Sequence, residues 1–182
     1  MINFDNIEYL KTGNFRQKQA YEVLSKSRVM ESLHEFDPVL VGTIPIDIDI
    51  ENSDLDIICY WTDRNNFIEN IIRLFADKQG FCIKNDQSQN CVIARFTVGH
   101  FEIEIFGQNI PVKMQMGYRH MIIEYQLLLK NGAAFRAKII ELKKQGYKTE
   151  PAFALLLELK GNPYEALLKF ESPQTTTNSF IK

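Results

Sequence analysis

The chain is poor in cysteine, with three in 182 residues. Cys59, Cys82 and Cys91 sit inside apolar runs without metal-site spacing, which excludes a disulfide framework or a zinc cage. They read as buried thiols of a reducing compartment. There is also no surplus of positive charge: 21 Lys and Arg stand against 23 Asp and Glu, for a net charge of -2. That balance gives no electrostatic footprint for nucleic acid and makes a long polynucleotide an unfavoured partner. No apolar run is long enough to span a bilayer, and no basic, apolar leader opens the chain, so the expectation is a cytoplasmic protein without a membrane partner. Internal repeats are absent. What remains is 45% hydrophobic and 24% charged, enough for one sizeable core with a helical part attached.

Periodicity supplies the elements. Asn14 with Gln17 three residues on has the form of a capping box, and Ala20, Tyr21, Leu24, Val29, Met30 and Leu33 continue an apolar stripe, predicting a helix up to Asp37-Pro38. Val39 to Val41 reads as a buried strand ending at Gly42, with Asp54 to Tyr60 as its partner. Asp63 caps a helix with Phe67, Ile68, Ile71, Ile72 and Phe75 on one face, stopped by Gly80. The period then changes to two over Phe81–Ile83, Cys91–Phe96 and Phe101–Phe106, the last two forming a hairpin across Val98-Gly99-His100. From Met116 the chain turns helical, with stops at Gly132, Gly146 and Gly161. Thr149-Glu150-Pro151 and Asn162-Pro163 are helix starts, each with a capping residue and an early proline.

The expected fold is α/β of the α+β type: a small mixed sheet with flanking helices and a helical C-terminal lobe. Residues 1–115 form the sheet lobe with its N-terminal helix, 116–172 the helical lobe of the same unit, and 173–182 a flexible tail without an apolar face. Leu155-Leu156-Leu157 reads as core or helix-pair packing.

The chemistry gathers around Val41-Gly42-Thr43 and Ser53-Asp54-Leu55-Asp56. Alternation along a strand sends Asp54 and Asp56 to one face and Leu55 and Ile57 to the other. Two anions this close repel by roughly 1 to 4 kcal/mol unless a cation resolves them. Oxygen-only donors at an open site suit Mg²⁺ or Mn²⁺ shared with phosphate oxygens. A third carboxylate is available on the Phe101–Phe106 strand if it lies beside the Asp54 strand. Glu104, further from the hairpin turn, is favoured and Glu102 is the alternative. Read blandly, Asp54 and Asp56 are the wet face of an exposed strand. Asp47, Asp49 and Glu51 form a second acidic alternation, read as a solvated loop or a short edge strand.

The first aspartate lies twelve and the second fourteen residues after Gly42. This pattern resembles the Gly-Ser and Asp-x-Asp signature of the DNA polymerase beta nucleotidyltransferase superfamily. Together with Glu104–Gln108, Tyr118–Met121 and Lys148–Ala154, it is also similar to an uncharacterised bacterial domain-of-unknown-function family described as nucleotidyltransferase-like. The resemblance implies that Asp54 and Asp56 hold two Mg²⁺ ions, with Glu104 on the second and able to help accept a hydroxyl proton. It implies that Gly42, Thr43 and Ser53 lie on the nucleotide's phosphate side. The chain departs from the superfamily at Thr43, where serine is usual, and at Ile44-Pro45-Ile46-Asp47. Pro45 has no N–H and Asp47 repels phosphate.

Arg119 and His120, near a helix start, either reach phosphate or base, or cap and pack. Gln108 either faces the site or satisfies a loop, and Lys148 reads as solvated. The expected activity is Mg²⁺-dependent transfer of a nucleoside monophosphate from a nucleoside triphosphate to an unidentified hydroxyl acceptor. The alternatives are a non-catalytic nucleotide-binding module and a protein-interaction module with exposed acidic strands.

Overall fold

The computed structural model describes residues 2–171. The tail expected from residue 173 lies outside them.

Five strands form one mixed sheet: β1 (Val39–Val41), β2 (Leu55–Tyr60), β3 (Gln79–Asp86), β4 (Cys91–Val98) and β5 (Phe101–Gln108), in the order β1-β2-β5-β4-β3. Only β2 and β5 run parallel, with Asp56 opposite Glu104 and Ile58 opposite Phe106. The other neighbours are antiparallel.

Alternation assigns the two faces. Leu55, Ile57 and Cys59 on β2 join Phe101, Ile103 and Ile105 on β5 in a core with α1 (Phe15–Ser27) and α3 (Arg64–Phe75). The opposite face carries Val39, Val41 and Ile58 into a second core against α4 (Met116–Lys144), α5 (Thr149–Leu156) and α6 (Pro163–Leu168). The first face is closed and the second is left partly open.

The Asn14 capping box forms: Asn14 Oδ1 accepts from Gln17 N–H at 2.8 Å, and Gln17 Oε1 from Asn14 N–H at 2.9 Å. The helix does not run on to Asp37, however. Ser27 Oγ donates back to the Val23 carbonyl at 2.7 Å, and Arg28 adopts a left-handed φ of 56°. The short α2 (Val29–Ser32) and a 3-10 turn follow. Asp63 caps α3 as expected, but α3 ends at Phe75 and Gly80 lies inside β3. Strand β2 begins one residue later than expected, leaving Asp54 at its mouth.

Gly132 breaks α4 at φ 77° and ψ -170°, and the helix resumes at once. At α5 the expected capping side chain is missing, because Lys148 is the N-cap, whereas Asn162 caps α6 through Tyr164 N–H. Leu155 is exposed, while Leu156 and Leu157 pack on the second core. Cys82 is also exposed, on edge strand β3; Cys59 and Cys91 are buried. Among the described residues no helix is long and apolar enough to cross a membrane.

Candidate active site

A cleft of about 440 Å³ opens on the second face, between β2–β5 and the helices α4 and α5. Gly42, Thr43, Asp56 and Glu104 line its floor, and His120, Glu124 and Glu150 its helical wall. The sequence motif and the parallel ladder therefore meet in one place.

Gly42 has φ 83°, and a Cβ there would stand 2.3 Å from Asp56 Oδ2. Only glycine allows the turn after β1 to pass this close over the carboxylate. Burial pushes the Asp56 pKa up to about 7, with Asp54 and Glu104 adding repulsion. The floor thus carries concentrated negative potential.

The loop from Gly42 to Asp54 is fastened from two sides. Gln17 Nε2 donates to the Ile44 carbonyl at 2.8 Å, and Arg16 donates to the Ser53 carbonyl at 2.8 Å. From α4, Arg136 donates to the Asp47 carbonyl at 2.8 Å and Lys143 Nζ to the Ile48 carbonyl at 2.8 Å. Seven residues apart, Arg136 and Lys143 share one side of the helix. Burial pulls the Lys143 pKa down to about 8, against the attraction of Glu124, Asp49, Asp54 and Asp56.

The acidic alternation 47–51 is a loop with Glu51 exposed, but a fastened one. Ile44, Ile46 and Ile48 are fully buried; Asp47 pairs with Arg136 at 3.5 Å, and Asp49 lies 3.9 Å from Arg16. The charge on Asp47 is answered inside the protein.

Other expected residues are held by contacts within the protein. Ser53 Oγ accepts from Ile50 N–H at 2.9 Å and from Thr43 Oγ1 at 3.2 Å, closing the loop. Glu104 is held by Arg95 of β4, whose Nε stands 2.7 Å from Oε2, while Glu102 is exposed and 3.9 Å from the same guanidinium. Arg119 forks onto Glu171 at 2.6 and 3.0 Å, outside the cleft lining. His120 is buried, with Nε2 3.0 Å from the Tyr164 carbonyl and Nδ1 3.7 Å from Glu150. It joins the last three helices. Gln108 lines the cleft, and Lys148 is exposed as expected.

Among the described residues no three Asp, Glu, His or Cys side chains converge as a metal cage. Arg95 instead occupies the third carboxylate, Glu104. The remaining chemistry suits a hard cation: oxygen donors on Asp54 and Asp56, with Glu104 in register across the ladder. Sequence reasoning missed Arg95, Glu124, Arg136 and Lys143. A lone acid within Met121-Ile122-Ile123-Glu124 was the available signal for Glu124.

The mixed sheet with its flanking helices and the helical C-terminal lobe match the expected nucleotidyltransferase-like fold. More specifically, the chain belongs to the family described as domain of unknown function DUF4269, whose profile matches residues 22–170. No curated protein matches it.

Among solved structures, Cid1, described by its RNA terminal uridylyl transferase activity, is similar with a TM-score of 0.50 and 16% identity, over 69% of this chain and 40% of that one. A cytoplasmic RNA terminal U-transferase gives a TM-score of 0.49 and 18% identity, over 71% and 39%. The polymerase core of TRAMP, an RNA surveillance complex, gives 0.48 and 13%, over 88% and 50%. The chain spans about two-fifths of the length of the first two. At such identity the likeness concerns fold alone.

Proposed function

We propose that the protein is a nucleotidyltransferase that moves a nucleoside monophosphate from a nucleoside triphosphate to a hydroxyl acceptor. The observation that carries this reading is the pairing of Asp56 with Glu104 across the parallel β2–β5 ladder, directly beneath Gly42. Asp54 and Asp56 would hold magnesium or manganese, joined by Glu104 once it leaves Arg95. When bound, the metal supplies charge neutralisation for the triphosphate and a lowered pKa for the attacking hydroxyl.

The chain's own residues do the positioning. Gly42 lets the backbone approach a phosphate, and Thr43 offers it an N–H and a hydroxyl. Gln17, Arg136 and Lys143 fix the loop through its carbonyls, so the aspartates are presented rigidly. Glu104 can accept the acceptor's proton. Ser53 acts through Thr43, while Arg119 and His120 hold the helical wall in place. In this reading residues 1–115 supply the chemistry and residues 116–172 the lid of the cleft, in a cytoplasmic protein.

The test is calorimetric titration of each nucleoside triphosphate with Mg²⁺, paired with a pyrophosphate-release assay. Wild type is expected to bind only with metal, and Asp54→Asn/Asp56→Asn to lose at least about a hundredfold in affinity, roughly 2.7 kcal/mol. Wild-type binding and transfer by that variant would sink the mechanism. The Arg95 grip on Glu104 favours one second reading, nucleotide binding without transfer; metal-dependent binding with no pyrophosphate released across acceptors would establish it.

A further inference from the structure

The helical wall carries a second acidic pair that the transfer chemistry does not use. Gly117, His120, Met121 and Glu124 recur at helical spacing on α4, and all four line the cleft. Glu124 is only 4% exposed, and its Oε1 has no hydrogen-bond partner among the described residues. Buried carboxyl oxygens are normally paired, so an orphaned one facing a cleft marks a place for a ligand group.

Its neighbours narrow the chemistry. Glu150, from the first turn of α5, lines the same wall. Lys143, the cation that Glu124 senses, donates instead to the Ile48 carbonyl. His120 gives Nε2 to the Tyr164 carbonyl contact and leaves Nδ1 at 3.7 Å from Glu150. Among the described residues no lysine or arginine lines the cleft, whereas Asp56, Glu104, Glu124 and Glu150 do. Among the described residues a ligand's phosphate would find no cation on this wall, but an N–H donor would find an unpaired acceptor.

We infer that Glu124 and Glu150 form a subsite for an amino group on the molecule bound in the cleft. The inference rests on the transferase reading for what that molecule is: the base of the incoming nucleotide or the hydroxyl acceptor. Both sources share one chemistry, an amine offering N–H to an unpaired carboxyl oxygen. Glu124 is then a specificity residue, and Thr149 beside Glu150 adds a hydroxyl for a neighbouring group.

Two arms separate the sources. The nucleotide arm compares Mg·ATP with Mg·ITP and Mg·CTP with Mg·UTP, each pair differing by amino against carbonyl on the base edge. The acceptor arm compares glucosamine with glucose, with and without the preferred nucleotide. In one arm wild type is expected to favour the amino member by at least about tenfold. Glu124→Met, apolar and of similar length, should erase that preference while leaving affinity for the carbonyl or amine-free member within about twofold. Glu150→Gln, at a less buried position, should weaken it partially.

A thermal melt of Glu124→Met close to wild type verifies the fold. If Mg·nucleotide binds and neither arm shows an amino preference, or Glu124→Met keeps it, the subsite is overturned and the transferase reading stands. If no nucleotide binds but glucosamine does, through Glu124, the transferase reading falls and the subsite remains. Absence of binding by every probe overturns both.

Discussion

The two faces of the β2–β5 ladder are built from the same two strands and do opposite work. One face sets Leu55, Ile57 and Cys59 beside Ile103 and Ile105, all fully buried under α1 and α3. The other sets Asp56 beside Glu104, with Ile58 opposite Phe106 further along, and opens into the cleft. Burial on the first face stabilises the sheet by roughly 1.5 to 3 kcal/mol per large side chain. On the second, the same sheet holds two carboxylates close together at a cost. The stable face is what allows the strained face to persist.

The largest test of this contrast acts on the closed face. Ile57→Ala should destabilise the protein by about 3 kcal/mol, because it leaves a cavity in a packed layer. Urea unfolding measures it. A loss under about 1 kcal/mol would mean that this face is not the anchor described.

A smaller effect of opposite sign is expected one residue away. The folded Asp56 pKa, raised to about 7 chiefly by burial, exceeds that of an unfolded carboxylate. Between about pH 4 and 7 the folded chain therefore keeps a proton that the unfolded chain has lost, and stability of the metal-free protein falls as pH rises through that window. Asp56→Asn should flatten the slope and raise the melting temperature above pH 7 by roughly 5 °C, about 2 kcal/mol. An unchanged slope would show that Asp56 ionises freely.

The smallest stability effect belongs to Arg95. Its side chain is 48% exposed, and an exposed ion pair is worth about 0 to 1 kcal/mol, so Arg95→Ala should hardly move the melt. It should nevertheless tighten Mn²⁺ binding, read by electron paramagnetic resonance, by roughly threefold, because Glu104 is released. Weaker Mn²⁺ binding would make Arg95 a support of the site instead of a competitor for it.

Much of the site was legible because it is local. Gly42-Thr43 and Asp54-Leu55-Asp56 lie within a short segment, and strand alternation alone puts both acids on one face. Glu104 was legible by the same alternation, although its place beside Asp56 depended on a parallel pairing that no local signal encodes. The fastening of the loop 43–53 was hidden because its partners, Gln17 on one side and Arg136 and Lys143 on the other, come from distant helices. Glu124 was hidden for a related reason. One acid in an apolar helical stripe has the same periodicity whether it snorkels to water or faces a cleft.

The sequence by itself determined the strands, the capped helices, the glycine turn and the pair of aspartates, since each depends on dihedral preference or on a period of two or 3.6 residues. Tertiary structure alone decided that β5 lies parallel to β2, that Arg95 grips Glu104, and that Glu124 Oε1 is buried without a partner among the described residues. Those outcomes depend on which distant surfaces meet, and contact between residues remote in the chain is set by packing of the whole core.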